Sequence, residues 1–271
     1  MYNLLAGYFF RFKRSPLFII ATFSMVVVGI ASLCLGNRMV QVGMLTPDRY
    51  IIDYFACKSL GIVVIIVTIF CTYFHTIEYL GGTIRNKLIG GYNRHQIYMA
   101  VFLTNTVISC LLFTIYVLTV VIAGNYMMAG GFQIYKGKRL VLFMICAYML
   151  VIAIESIFTV IAANISNSAW SVCVGGLGTL GLYCFGVAQA NQLTNIYMKN
   201  TADGMLKWDC KIFLLNYLPS GQMIKFFVLS RAGFEDDIYT LQPVVMLSGS
   251  ISILALSVIV GEILFHKKNI N

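Results

Sequence analysis

Six long runs with no lysine or arginine, and at most one acidic residue each, dominate the chain: residues 16–35, 59–75, 97–123, 140–162, 169–188 and 243–265. Each is close to the roughly 20 apolar residues that cross a hydrocarbon core as a helix. Backbone polar groups in lipid must be satisfied within the segment, so the runs read as transmembrane helices and the fold class as all-α and polytopic. Composition excludes the soluble alternative, because 59% of the 271 residues are apolar, only 11% are charged, and mean hydropathy is +0.85. Too little polar surface remains to cover a water-exposed domain. The net charge of +9 is scattered along the flanks of the runs and forms no basic stripe with interleaved aromatics. That distribution excludes nucleic acid as a partner and favours the lipid bilayer with its anionic headgroups.

Residues 2–14 are apolar and aromatic but too short to span, and they close on Arg11, Lys13 and Arg14. A secretory signal would place its charges first, so this segment reads as an interfacial helix. A mixed loop is expected over 36–58 and another over 125–139. The link over 163–168 is too short for anything but a tight turn between antiparallel neighbours, and the sequon at Asn164 falls on the inner side of this topology. The fifth run carries Gly175, Gly176, Gly178, Gly181 and Gly186, small residues that let a neighbouring helix approach closely. Either a moving or dimer-facing helix or tight packing within the chain would use them. Residues 189–242 form one large outer loop, whose apolar parts, 212–218 and 223–229, flank Pro219, Ser220 and Gly221 and suggest two short helices dipping into the membrane.

The densest polar insertion between apolar runs is EYLGGTIRNKLIGGYNRHQIY, residues 78–98. Leu80, Ile84 and Leu88 recur at i, i+4 and i+8, which gives a short helix over about 80–91 one apolar stripe with Arg85, Asn86 and Lys87 opposite. Gly90 and Gly91 stand where a C-terminal cap is required, with Gly90 expected to take the positive φ. Asn93 followed by Gln96 has the spacing of a capping box opening the next helix. Glu78 is placed to pair with Arg85 or Arg94.

These residues carry a family resemblance. Glu78 at the end of a second span, then Gly82, Thr83, Ile84, Arg85, Asn86, Gly90, Arg94 and Tyr98, resembles the segment after the second span in ABC-type 2 transporter permeases; the late YLPSGQ stretch and the six-span layout agree. The resemblance implies a single permease domain over 1–271, with 78–94 holding a coupling helix that docks on a separate cytoplasmic ATPase. Two ATPase copies, supplying ATP and Mg sites that this chain lacks, would act on a pair of permease chains, identical or related. Spans two and five would line an alternating-access path, making Phe70, Tyr73, Phe74, Tyr183 and Phe185 its contacts. An aromatic path of that kind suits export of an amphipathic or hydrophobic substrate: a peptide antibiotic, a lipid or a drug. The implied setting is a bacterial cell membrane with both termini cytoplasmic. Charge supports that orientation once the long last loop, where charge decides less, is set aside: eight basic residues then fall inside against six outside.

Catalytic chemistry is missing from the chain itself. No G-x-x-x-x-G-K-[ST] loop occurs, so the ATP-binding backbone cradle is absent and the chain reads as no enzyme. His75, His95 and His266 fall at predicted membrane edges, and no metal site is expected. Six of the eight cysteines lie in spans and act as small apolar residues. Cys57 and Cys210 fall in or beside outer loops, where an oxidising compartment would allow a disulfide. Glu155 and Glu262 are intramembrane acids, which mark functional sites or structural pairs; the helical rise puts Glu155 about 22 Å below the outer end of its span. An alternative to the exporter is therefore an ion- or proton-coupled secondary transporter or channel that uses Glu155 and needs no ATPase. A membrane scaffold is the third reading.

Overall fold

A computed structural model describes residues 2–41, 51–80, 83–127, 137–165, 167–203, 217–229 and 243–267. Among the described residues the chain is all-α: α1 (Tyr2–Arg14), α2 (Pro16–Gln41), α3 (Ile51–Leu80), α4 (Thr83–Ile89), α5 (Arg94–Met127), α6 (Gly137–Asn164), α7 (Ser168–Asp203), α8 (Pro219–Leu229) and α9 (Pro243–Lys267). Six of these are long and apolar enough to cross a membrane, over Pro16–Leu35, Ser59–Ile77, Arg94–Gly124, Met144–Asn164, Ala169–Gln189 and Pro243–Lys267. The protein is an all-α polytopic membrane protein.

Burial sorts the helices into a centre and a shell. In α3 and α6, 67% and 61% of the span is enclosed by the rest of the chain, against 28%, 22% and 22% in α2, α7 and α9. α3 packs on α2, α5, α6, α7 and α8, while α9 lies chiefly along α6. The shell helices turn Ile19, Phe23, Leu177, Leu256 and Ile259 outward, as a lipid solvent permits. Between helices in lipid the hydrophobic effect is weak, so close fit supplies the cohesion. The glycines of α7 serve that fit within the chain. A Cβ at Gly175 would lie 2.7 Å from the Thr72 hydroxyl of α3, and one at Gly178 would lie 2.5 Å from the Phe158 ring of α6. Gly181 meets nothing within 4 Å.

Besides α5 and α6, which run to Met127 and from Gly137 into the loop assigned to 125–139, two loop boundaries differ from the sequence reading. The loop assigned to 36–58 is helical at both ends, since α2 continues to Gln41 and α3 begins at Ile51. The outer loop assigned to 189–242 begins with about four turns of continued helix, because α7 runs to Asp203. Hydropathy marks where a helix meets lipid, and neither overrun contains a proline to stop it in water.

The YLPSGQ stretch builds α8 and fastens it. Pro219 opens the helix at a position where a missing N–H costs nothing. Gln222, fully buried, donates from Nε2 to the Met246 carbonyl at 3.0 Å and accepts from Ser250 Oγ at 3.0 Å, joining α8 to α9. The backbone of Ser220 occupies the space a Cβ would need at Gly186, which seats α8 on α7.

Candidate coupling site

The turn between α3 and α5 is built from local signals. α4 ends in a Schellman arrangement: Tyr92 N–H reaches the Lys87 carbonyl at 3.2 Å and Gly91 N–H the Leu88 carbonyl at 3.1 Å. Gly91 carries the positive φ, 86°, and among the described residues no other does. This corrects the expectation for Gly90, which is the last position before the reversal and donates an ordinary helical bond to Asn86 at 2.9 Å. One half of the capping box forms, with Asn93 N–H donating to Gln96 Oε1 at 3.3 Å.

α4 is amphipathic, and its apolar side faces its own chain. Ile84 is 1% exposed in a cluster with Ile97 and Tyr98 of α5, Ala163 of α6 and Phe265 of α9, with Leu88, Tyr92 and Met99 packed against it. Lys87 Nζ stands 3.7 Å from the centroid of the Tyr8 ring, which holds α4 to α1. Polar contacts tie the start of α5 to the end of α9: Arg94 Nη1 donates to the His266 carbonyl at 2.8 Å, and His95 Nδ1 lies 2.6 Å from Glu262 Oε1. A cation at the C-terminus of α9 also matches that helix's dipole. The side left to solvent carries Arg85, Asn86 and Ile89, followed by Gly90, Gly91 and Asn93; Ile89 is 76% exposed. The stripe of Ile84 and Leu88 thus anchors α4, and the neighbouring face is what it presents outward. The side chains of Glu78 and Leu80, and Gly82 as a whole, lie outside the described residues. Thr83 opens α4 half-buried.

Of the acids, Glu262 pairs with His95, and among the described residues with no arginine or lysine, while Glu155 is fully buried inside the bundle. Thr159, one turn on, donates to Glu155 Oε1, and Asn105 of α5 donates through Nδ2 to Thr159 Oγ1 at 3.1 Å. Glu155 Oε2 and Asn105 Oδ1 have no hydrogen-bond partner among the described residues. Nearby, Ser257 Oγ of α9 donates to Ser156 Oγ at 2.7 Å. Asn105 was not singled out from the sequence, where an asparagine at mid-span was the available signal.

The aromatic residues assigned to a path are not gathered in one place. Phe70 and Phe74 are buried with Phe12 of α1, at ring-centroid distances of 5.9 and 6.0 Å, and Tyr73 is half-buried. Tyr183 packs on Gly61, where a Cβ would lie 3.1 Å from the ring, and Phe185 is 55% exposed on α7. Cys210 and the side chain of Cys57 lie outside the described residues. Among those residues no group of three or more histidines, cysteines and acids could hold a metal.

A central pair of helices sheathed by lipid-facing ones, with a fastened amphipathic turn at one end of the bundle, has the form of a membrane-embedded transporter subunit. The sequence profile described as "ABC-2 family transporter protein" matches residues 5–181, a stretch that includes most of α1 and the whole α3–α4–α5 turn. The chain belongs to this family and is a permease component of an ABC transporter. No curated protein matches it.

Proposed function

We propose that this permease works as an exporter, with residues 78–94 as the element through which a cytoplasmic ABC ATPase drives it. The single observation that carries the reading is the two-sided construction of α4. Ile84 is clamped into a cluster shared by α5, α6 and α9, while Arg85, Asn86 and Ile89 stand free on the adjoining face. A partner pressing on that face would move three helix ends together rather than one loop. Two ATPase copies would supply ATP and Mg chemistry, and two permease chains, identical or related, would form the path, with both termini cytoplasmic in a bacterial membrane. The aromatic surfaces of α3 and α7 suit a peptide antibiotic, a lipid or a drug. Access to Phe70 and Phe74 requires α1 to shift from Phe12. Detergent co-purification of an ATP-binding subunit, followed by ATP-dependent efflux in proteoliposomes, tests the reading; uptake instead of efflux overturns the exporter direction.

A second reading rests on Glu155, whose Oε2 is buried without a hydrogen-bond partner among the described residues. Under it, Glu155→Gln abolishes ion-coupled flux in correctly assembled protein that needs no ATPase. Under the exporter reading the same variant transports with undiminished dependence on ATP.

A further inference from the structure

Glycines leave a socket open near each end of α9, and another element fills each one. Beside the α4 turn, the hydroxyl of Tyr98 stands where a Cβ on Gly261 would be. That hydroxyl donates to the Ser257 carbonyl at 3.5 Å, and the Tyr98 ring lies 5.8 Å from that of Phe265. Arg94, His95 and Ile84 add contacts to His266, Glu262 and Phe265 respectively. The α4 turn and the start of α5 therefore grip about the last three turns of α9. At the far end, the Tyr217 carbonyl, just ahead of α8, takes the place of a Cβ on Gly249, and the Tyr217 hydroxyl shares a hydrogen bond with Ser252. Gln222 of α8 completes this second grip through the Met246 carbonyl and the Ser250 hydroxyl.

From Gly249 to Gly261 is about 18 Å of helix axis, and no proline interrupts its backbone hydrogen bonds. Between the grips α9 lies chiefly along α6, joined to it by the Ser257–Ser156 hydrogen bond, and turns Ile251, Leu256 and Ile259 outward. Only 22% of its span is enclosed. A continuous helix that is gripped at both ends and lightly covered between them transmits a displacement instead of absorbing it. We propose that α9 is the rod that carries movement of the α4 turn across the bilayer to α8, with Tyr98 and Gly261 as its input joint and Gln222 and Gly249 as its output joint. The proposal rests on the reading of α4 as the driven element and adds what that element drives. α8, seated on α7 through Gly186, shifts whenever the turn is displaced, and Tyr98 and Gly261 act as positioning residues for it.

Hydrogen–deuterium exchange of the purified chain in nanodiscs, read over residues 219–229, tests the rod without the ATPase. Gly261→Ala forces Tyr98 and α9 apart, and exchange in α8 should rise about tenfold although the substitution lies at the opposite end of α9. Tyr98→Phe, which removes the hydroxyl and keeps the ring, should raise it about twofold and serves where Gly261→Ala does not fold. Gly29→Ala, crowded at 3.0 Å by Thr119 where α2 meets α5, is the control and should leave α8 unchanged. Unaltered α8 exchange in both test variants, or an equal rise in the control, overturns the proposal. In the assembled complex, trapping with ATP and vanadate should change exchange over 84–98 and 219–229 together; a change in the first stretch alone also overturns it. Failure of any ATPase to co-purify would refute the coupling reading of α4 instead, and the link between the turn and α8 would still be decided by the isolated chain.

Discussion

Replacing Ile84 by alanine removes three methyl-sized groups from a side chain that is 1% exposed and touches three other helices through Ile97, Tyr98, Ala163 and Phe265. Buried isoleucine-to-alanine changes cost about 2–5 kcal/mol, the upper end belonging to sites that cannot collapse. The Ile84 cluster lies at the end of the bundle, where the short α4 can settle toward the gap, so a loss of about 2–3 kcal/mol is expected. Ile84→Val, which removes one methyl group, should cost about 0.5–1.5 kcal/mol. Ile89 lies about 140° around the helix from Ile84 and is 76% exposed, so Ile89→Ala should stay within about 0.5 kcal/mol of wild type. Reversible unfolding of the purified chain in mixed micelles, with the three variants compared at one detergent composition, measures the series. The order Ile84→Ala, Ile84→Val, Ile89→Ala follows from which face is buried. An Ile84→Ala variant no less stable than Ile89→Ala would show that α4 is not anchored by its apolar stripe.

Other substitutions separate in the same way. Gly91→Ala should destabilise the turn by about 1–2 kcal/mol, the cost of a left-handed residue with a Cβ, whereas Gly90→Ala should be nearly neutral; equal effects in the same unfolding assay would contradict the assigned cap. Gln222→Leu should cost about 1–3 kcal/mol by stranding the Ser250 hydroxyl and removing the second bond to the Met246 carbonyl, and limited proteolysis should then cut near α8 first; an unchanged digest would refute the α8–α9 clasp. His95→Gln with Glu262→Gln, at an exposed pair, should change stability by less than about 1 kcal/mol, and a larger loss would mean that the pair does more than align two helix ends.

The parts legible in the sequence were those set by local pattern. Hydropathy gave six crossings because lipid contact is a property of each segment alone, and the stripe of Ile84 and Leu88 gave α4 because a 3.6-residue period needs no knowledge of its partner. The same signals failed where structure leaves lipid or depends on distant residues. α7 continues to Asp203 because a helix does not need lipid to persist, and no breaker intervenes. The choice of Gly91 over Gly90 turns on one residue of helix length, below the reach of pattern. The partners of Ile84 and His95, Phe265 and Glu262, lie more than 160 residues away along the chain, and nothing local points to them. Glu155 was visible as an acid in a span, but Asn105, which shares its network, resembled any small polar residue that a helix interface tolerates.

The central claim is that the outward face of α4 touches an ABC ATPase. A photoreactive amino acid placed singly at Arg85, Asn86, Ile89 and Ile84, in the assembled complex in its native membrane, measures that contact. The account predicts covalent adducts with a polypeptide that carries a G-x-x-x-x-G-K-[ST] loop from Arg85, Asn86 and Ile89, and adducts within the chain itself from Ile84. Lipid adducts alone from the three outward positions, or capture of the ATPase from Ile84 in their place, would contradict it.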